Sequence, residues 1–198
     1  MKKIIFATTN KNKIREVNMM VEDFDVELVP MSDLGIDIDI EETGTTFKDN
    51  AIIKAKTISE MTGEIALADD SGLEVDYLDG APGVYSSRFL GEDTPYEEKN
   101  DYIIDKLKDA KGDERSARFV CAMALVFPDG EVETCYGTIE GLIGYEQRGT
   151  NGFGYDPIVY VPEYEMTTGE MDPRLKNSIS HRGKALEQMK EIIKRRFK

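Results

Sequence analysis

The sequence has little of what membrane spans, disulfides and soft-metal sites require. No apolar run approaches the roughly 20 residues that cross a bilayer, and the apolar run after Met1-Lys2-Lys3 is too short for a signal peptide. There are two cysteines and one histidine. Cys121 and Cys135 flank the turn Pro128–Gly130, so a hairpin would bring them together, but two small buried side chains in a reducing compartment are the simpler interpretation. We expect a soluble cytoplasmic protein without a disulfide.

Basic residues are scarce relative to acidic ones. The sequence has 25 lysines and arginines against 39 aspartates and glutamates, a net charge of -14, which opposes long-range attraction to nucleic acid or anionic membranes. A polyanionic ligand would therefore need a local basic pocket and a metal ion. Repeats, low-complexity tracts and linkers are absent from the sequence, so we predict one domain over residues 1–198, long enough to bury roughly 70% of its unfolded surface.

The order of predicted elements favours an α/β fold with a mixed sheet. Short apolar runs of strand length alternate with helical periodicity, and a later hairpin adds antiparallel pairing. One helix begins with Thr94 as N-cap, Pro95 at the first helical position and Glu97 closing a capping box, and it ends at Gly112. Predicted strands cover 2–8, 26–30, 65–68, 117–127, 131–136, 138–143 and 158–161, and the other helices cover about 14–21, 46–61 and 180–197.

The first candidate site is the polar segment Ala7–Lys13, where a strand ends and a helix begins. Backbone N–H groups at a helix N-terminus, with threonine, asparagine and lysine side chains beside them, suit phosphate oxygens. The segment is not a Walker loop, because no G-x-x-x-x-G-K-[ST] pattern occurs in the sequence. A plain helix cap at Thr9 or Asn10 explains the same residues equally well.

The second candidate site is acidic. Glu41 and Glu42 precede a predicted helix that carries Lys54 one to two turns further on. Carboxylates are oxygen ligands that Mg²⁺ prefers, and a nearby lysine suits the phosphate on which the metal acts. Acidic residues before a helix also serve simply as complements to the helix dipole.

The third candidate site is Asp69-Asp70-Ser71-Gly72, at the end of the third predicted strand. Neighbouring strand residues point to opposite faces, so both aspartates reach one site only if the chain turns, which Ser71 and Gly72 permit. One carboxylate would then bind metal while the other orients or deprotonates a water. An Asx-turn at the end of a strand is the alternative.

Two further segments suit a nucleoside. Gly149–Pro157 has three glycines and two aromatic rings, which allow close backbone approach and a face for base stacking, although a tight turn explains the glycines alone. Lys176 with Ser178–Arg182 opens the last predicted helix and contains the single histidine. A histidine near a helix start is usually a surface or capping residue, but here serines and an arginine that can donate to a keto oxygen surround it.

In this order, the five segments closely resemble the inosine/xanthosine triphosphate pyrophosphatase family, over residues 4 to about 186. Each segment is a modest signal, and together they are specific. The family signatures correspond to Ala7–Lys13 with Glu16, Glu42–Ala55, Ala68–Leu73, Ala81–Arg88, Gly152–Pro157 and Lys176–Arg182.

The resemblance implies an elongated mixed sheet with flanking helices, two lobes with a central cleft, and a homodimer. It implies Mg²⁺-dependent hydrolysis of the purine nucleoside triphosphates ITP, dITP and XTP to the monophosphate and pyrophosphate. Glu42 and Asp70 would bind the metal, and Asp70 with Asp69 would serve the attacking water. The triphosphate would be held by Thr8, Thr9, Asn10, Lys11, Asn12, Lys13 and Lys54, and the nucleoside by Ser71, Phe153, Gly154, Tyr155, Asp156, Lys176, His181 and Arg182.

The sequence departs from the family pattern at two places. Asn151 stands where glycine is usual, a tolerable exchange because asparagine accepts left-handed backbone angles better than most residues. Thr168–Met171 stands where a Phe-Ala-Glu-Met type segment is common, which bears on packing beside the base pocket. Two alternatives remain open at this point. One is a Maf-like pyrophosphatase for modified pyrimidine nucleotides, and the segments Phe153–Asp156 and Ser180–Arg182 argue against it. The other is a non-catalytic nucleotide-sensing module, which the joint presence of acidic residues and lysines disfavours.

Overall fold

The computed structural model describes residues 2–22 and 24–197 and confirms the α/β prediction. Within these residues the sheet has the order β2-β1-β3-β4-β5-β6-β7. Strand β1 pairs in parallel with β2 and β3, whereas β6 pairs antiparallel with β5 and β7, so the sheet is mixed. The strands are β1 (Lys2–Phe6), β2 (Val26–Pro30), β3 (Ala66–Val75), β4 (Ser116–Val126), β5 (Val132–Ile143), β6 (Val159–Val161) and β7 (Met166–Thr167), and the helices are α1 (Lys11–Met20), α2 (Phe47–Thr62), α3 (Tyr96–Lys106), α4 (Pro173–Ile179) and α5 (His181–Arg196).

The chain divides into two compact units, each with its own apolar core. The first unit comprises Met1–Asp70, Cys121–Gly137 and His181–Lys198, and the second comprises Ser71–Val120 and Thr138–Ser180. Buried side chains such as Ile4, Val17 and Leu186 form the first core, and Leu73, Ile103 and Ile158 belong to the second. The single domain predicted for residues 1–198 stays a prediction. Within the described ranges no helix has both the length and the apolar character needed to cross a membrane.

The helices of the first unit begin and end where their sequence signals lie. The Asn10 side chain accepts from the N–H groups of Asn12 and Lys13 and so caps α1. Thr46 caps α2 in the same way, and Gly63 ends it with a φ of 70°, which only glycine adopts without strain. The predicted buried face of α2, which includes Ala51 and Ala55, is confirmed.

A glycine lets strand β5 approach helix α5 closely within the first unit. A Cβ at Gly137 would collide with the backbone of α5 at His181 and Ala185. The two elements can therefore touch backbone to backbone only because residue 137 lacks a side chain. This close approach fixes the first turn of α5, which carries Arg182.

Three predicted boundaries were wrong. The third strand does not end at Asp69-Asp70-Ser71-Gly72 but continues through it as β3 to Val75. Helix α3 begins at Tyr96 after Pro95 as N-cap and ends at Lys106, and no side chain caps it. The Thr94 hydroxyl instead donates to the carbonyl of Leu90, because a local turn offers it an acceptor before the helix starts.

Other predicted elements were merged, divided or differently shaped. The pieces predicted at 131–136 and 138–143 are one strand, β5. The segment Lys176–Arg182 does not open a single helix, since α4 ends at Ile179 and α5 begins at His181. Asn151 does not need its tolerance of left-handed backbone angles, since the described non-glycine residues with positive φ are Asp79, Leu90 and Glu165. Its side chain instead donates to the carbonyl of Met171 at 2.9 Å.

The two cysteines are free and buried, as the sequence predicted. Burial raises the pKa of Cys135 to about 12 and raises that of Cys121 further, so both are neutral thiols at physiological pH. Cys121 lies against Asp69, with Sγ 3.9 Å from Oδ2. Both cysteines are therefore packing residues of the first unit.

Candidate active site

One cluster of the first unit joins a loop, helix α2 and strand β3. Nζ of Lys54 lies 2.7 Å from Oε1 of Glu42 and 3.3 Å from Oδ1 of Asp70. Asn50, one turn before Lys54 on α2, donates to the other oxygen of Asp70 at 3.2 Å. The Asn50 side-chain oxygen accepts from the N–H of Gly44 at 2.8 Å. Asn50 thus fixes both the loop that carries Glu42 and the carboxylate of Asp70.

Asp69 has a different set of partners, as expected for neighbouring residues of a strand. Its Oδ2 accepts from Nε and Nη2 of Arg182, at 3.2 and 3.1 Å, and lies 3.1 Å from Nζ of Lys13. Arg182 also donates from Nη1 to Glu16 at 2.5 Å. Among the residues that the structure describes, no group donates to the buried Oδ1 of Asp69. The prediction that a turn brings both carboxylates to one side was wrong, because the strand is continuous.

The two adjacent aspartates have pKa values shifted in opposite directions. Burial alone would raise the pKa of Asp69, but Lys13 and Arg182 outweigh it and hold that pKa well below the usual range. For Asp70, burial raises the pKa and the attraction of Lys54 and Lys13 only partly opposes it. Asp69 is therefore a fixed anion, and Asp70 is the carboxylate that accepts a proton more readily.

The residues predicted to bind Mg²⁺ fit a hard cation in part of its coordination shell. The carboxylates of Glu42 and Asp70 already converge on one cation, the ammonium of Lys54. No group of three or more potential metal ligands occurs in the described part of the chain. Two carboxylates suit a magnesium ion that takes its other ligands from water and substrate phosphates.

The segment predicted to hold the triphosphate forms several hydrogen bonds within itself. Oδ1 of Asn10 accepts from the N–H groups of Asn12 and Lys13, at 3.0 and 3.2 Å, and Oγ1 of Thr8 accepts from the N–H of Asn10 at 3.1 Å. The helix-cap interpretation is thus confirmed for Asn10. Thr9 and Lys11 are exposed beside it. Phosphate binding by this segment stays a prediction.

A second buried carboxylate organises the glycine-rich loop of the second unit. Oδ2 of Asp156 accepts from the N–H of Phe153 at 2.7 Å and from Nζ of Lys176 at 2.5 Å. Its Oδ1 accepts from the Thr168 hydroxyl at 2.8 Å. Asp156 thereby ties together the loop, helix α4 and the chain after β7.

The aromatic residues of this loop are arranged differently from each other. The hydroxyl of Tyr155 donates to the carbonyl of Ser86 at 2.7 Å, and its buried ring meets the ring of Tyr96 edge to face. The partly exposed ring of Phe153 lies beneath the ammonium of Lys176, 5.2 Å from the ring centroid. Phe153 therefore presents the ring that suits base stacking, and Tyr155 anchors the loop.

The remaining predicted site residues lie at the ends of elements. Ser71 is half-buried on β3. His181 and Arg182 are buried in the first turn of α5. The guanidinium of Arg182 binds carboxylates of its own unit, whereas the sequence suggested donation to a keto oxygen, so its contact with a nucleoside stays a prediction.

Sequence reasoning assigned no role to Asn50, Glu16 and Thr168. Asn50 and Glu16 lie within the family signatures, and their spacing from Lys54 and Lys13 on helices α2 and α1 was an available signal. Thr168 stands where the sequence departs from the family pattern, and nothing local indicates that its hydroxyl reaches Asp156.

Comparison with known proteins agrees with this geometry. A family model described as the Ham1 family matches residues 4–192. The chain belongs to the Ham1 family. A family relative, the dITP/XTP pyrophosphatase of Desulforamulus reducens, is 47% identical over 195 residues, which cover 98% of this chain and 97% of the relative.

Solved structures of Ham1 proteins share the fold. The Ham1 protein of Coxiella burnetii has a TM-score of 0.89 and 43% identity, with 98% of this chain and 100% of that one covered. The Ham1 protein of Staphylococcus aureus has a TM-score of 0.87 and 37% identity, with 98% of each chain covered. The predicted family membership and fold are thus confirmed.

Proposed function

We propose that this chain hydrolyses the triphosphates of deaminated purine nucleosides, ITP, dITP and XTP, to the monophosphate and pyrophosphate. The observation that supports this most is the clustering of Asp69 and Asp70 with Lys13 and Lys54. The relatives that share nearly the whole chain are named dITP/XTP pyrophosphatases. This activity would remove deaminated nucleotides from the precursor pool.

The two lysines resolve the conflict between an acidic protein and a polyanionic substrate. With a net charge of -14, the whole chain repels a triphosphate at long range. Lys13 and Lys54 place two ammonium groups beside strand β3, and both are mostly buried. Burial strengthens their interaction with phosphate oxygens, and their partly neutralised carboxylate partners keep them in place.

The carboxylates would have two roles, binding of the metal ion and activation of the attacking water. Glu42 and Asp70 would hold a magnesium ion, and Lys54 would exchange one carboxylate contact for a phosphate oxygen. A bound Mg²⁺ polarises a phosphoryl group and neutralises developing charge. Asp70, with Asp69 beside it on the strand, would serve the attacking water. The water oxygen bonds to the α-phosphorus, the bond to the bridging oxygen breaks, and pyrophosphate leaves.

Base selection would rest on donors to the 6-oxo group. Adenine carries an amino group at position 6, so a buried donor there loses its acceptor at about 1–3 kcal/mol each. Two such donors discriminate against ATP by on the order of a hundredfold or more. Phe153 offers a ring for stacking, with Lys176 beside it. Discrimination against GTP, which also has a 6-oxo group, requires crowding near position 2 of the base.

The decisive experiment compares kcat/KM for ITP, XTP, GTP, ATP and a pyrimidine triphosphate, with pyrophosphate and monophosphate measured separately. We expect ITP and XTP to be preferred, with one pyrophosphate released per monophosphate. A preference for GTP or a pyrimidine would overturn the substrate assignment, and binding without pyrophosphate release would indicate a sensing module. Activity lost in a chelator and restored by Mg²⁺ alone would support the metal requirement.

We further propose a homodimer and a cytoplasmic location. The implied homodimer is tested by light scattering of the purified full chain at several concentrations. The location is tested by fractionation of the source cells with an antibody against this chain.

A further inference from the structure

A buried amide on helix α3 holds the glycine-rich loop of the second unit. Asn100 is 1% exposed. Its Nδ2 donates to the carbonyl of Gly154 at 3.2 Å and to Oε1 of Gln147 at 3.1 Å. Asn100 therefore bonds both to the loop that carries Phe153 and to the segment that leads into it.

The orientation of this amide follows from its neighbours. Nε2 of Gln147 donates to the carbonyl of Glu97 at 3.1 Å and to Oδ1 of Asp101 at 2.8 Å, so Oε1 of Gln147 faces Asn100. The carbonyl of Gly154 is also an acceptor. Two acceptors thus converge on the same atom, which is therefore the amide nitrogen of Asn100 and not its oxygen.

The same side of α3 packs against the loop through an aromatic ring. Tyr96, four residues before Asn100, lies with its ring 5.2 Å from the Tyr155 ring at an angle of 89°. A Cβ at Gly154 would lie 3.5 Å from the Tyr96 ring, so the loop backbone follows the ring closely. Gly154 also has a φ of 67°. The loop is therefore held by ring contact and by hydrogen bonds to one helix.

We propose that Asn100 is a positioning residue that sets where Phe153 stands against the nucleobase. The proposal rests on the proposed function, because Phe153 matters to catalysis only if a base stacks on it. Gly154 follows Phe153 directly, and Asp156 fixes the N–H of Phe153 from the other side. Asn100 thus holds the backbone directly after Phe153, from which this ring projects.

The sharpest test is Asn100→Asp, which keeps the shape and replaces the two donors with acceptors. We expect KM for ITP to rise about tenfold or more, the preference for ITP over ATP to fall, and kcat to change less, because a misplaced ring weakens binding of the base. Asp105→Asn makes the reverse exchange at an exposed position of the same helix and should change none of these three parameters. Unchanged KM and base preference in folded Asn100→Asp would overturn the proposal.

A milder variant addresses the risk that Asn100→Asp does not fold. Gln147→Glu keeps the acceptor for Asn100 but removes the donors to Glu97 and Asp101. It therefore weakens the attachment of residue 147 to helix α3 without changing Asn100 itself. We expect a change of about threefold in KM in the same direction. If Asn100→Asp is unfolded and Gln147→Glu has the KM and base preference of the wild type, the proposal is wrong.

A readout without activity separates this proposal from the proposed function. The chain has no tryptophan, so Phe153→Trp creates a single fluorescent probe on the loop. Adding Asn100→Asp should shift its emission and increase quenching by acrylamide, whereas adding Asp105→Asn should not. Identical spectra in all three proteins would overturn the positioning role. A wild-type chain that releases no pyrophosphate from ITP would instead refute the proposed function. The spectra would still show whether Asn100 positions the loop at residue 153.

Discussion

Two buried carboxylates, Asp69 in the first unit and Asp156 in the second, have similar surroundings but differ in how many of their oxygens accept hydrogen bonds. Each is paired with buried cationic groups of its own unit. Asp156 accepts bonds on both oxygens, from Lys176, Thr168 and the N–H of Phe153. Asp69 concentrates its contacts on Oδ2, and Oδ1 receives no donor from the described residues.

The difference separates a structural carboxylate from one with capacity left for chemistry. A buried acceptor without a partner is unfavourable by about 1–3 kcal/mol and persists mainly at functional sites. Asp156 completes its bonds within the protein and therefore stabilises a loop. Asp69 keeps an acceptor oxygen for a ligand, whereas Asp70 accepts from Lys54 and Asn50 and would exchange such a contact for a ligand. We therefore expect substitution of Asp70 to act mainly on activity and substitution of Asp156 to act mainly on stability.

The largest effect is expected for Asp70→Asn. The amide keeps the size of the side chain but loses the negative charge and the ability to take a proton, so we expect kcat to fall by on the order of a thousandfold or more. The melting temperature should fall less than in Asp156→Asn, because Lys54 keeps the carboxylate of Glu42 as a partner. Pyrophosphate release from ITP measures the loss, and near-normal turnover would remove Asp70 from the mechanism.

Asp156→Asn should act on stability instead. It removes the carboxylate from the buried ammonium of Lys176, and breaking a buried ion pair is unfavourable by about 3–5 kcal/mol. Urea denaturation measures the free energy of unfolding. Asp156→Glu is the control, because it keeps the negative charge but changes the length of the side chain. A fully stable Asp156→Asn protein with lost activity would contradict the division between the two carboxylates.

Lys13→Met tests the anionic state of Asp69 through pH. Asp69 has a lowered pKa in the folded state, so its contribution to stability is present above the usual aspartate pKa of about 4 and is lost as pH falls toward the folded pKa. At pH 7 the variant should unfold with about 2 kcal/mol less free energy than the wild type. This gap should shrink steadily below about pH 4, as chemical denaturation at each pH would show. A constant gap would mean that Lys13 does not stabilise the Asp69 anion.

Thr168→Val is expected to have the smallest effect. The shape is kept, but Oδ1 and the carbonyl of Asp156 lose the donated hydrogen bond, which reduces the free energy of unfolding by about 1 kcal/mol. Thr57→Val, at a half-buried hydroxyl that donates to a carbonyl of its own helix α2, is a matched control with a smaller expected loss. Equal losses in the two variants would show that Thr168 is an ordinary hydroxyl.

Much of the fold was predictable because its signals are local. The strand Val26–Pro30, the cap at Thr46 and the stop at Gly63 follow from short-range patterns. The strand through Ser71 and Gly72 shows the opposite case, since turn-forming residues were overridden by pairing within the sheet. The start of α3 was misplaced because the Thr94 hydroxyl bonds to the carbonyl of Leu90 and does not cap the helix. Glycine in a strand weakens it locally but does not by itself end it.

The sequence by itself determined the family, the α/β class, the scarcity of basic charge and the residues able to serve a triphosphate and its metal. Only the tertiary structure decided which of those residues contact one another and how their pKa values differ. The pairing of Arg182 with Asp69 joins positions 113 residues apart, and no local pattern encodes such a contact. A pKa or an unmade hydrogen bond depends on every charge and dipole packed around the group, which is why two adjacent aspartates of one strand differ in their chemistry.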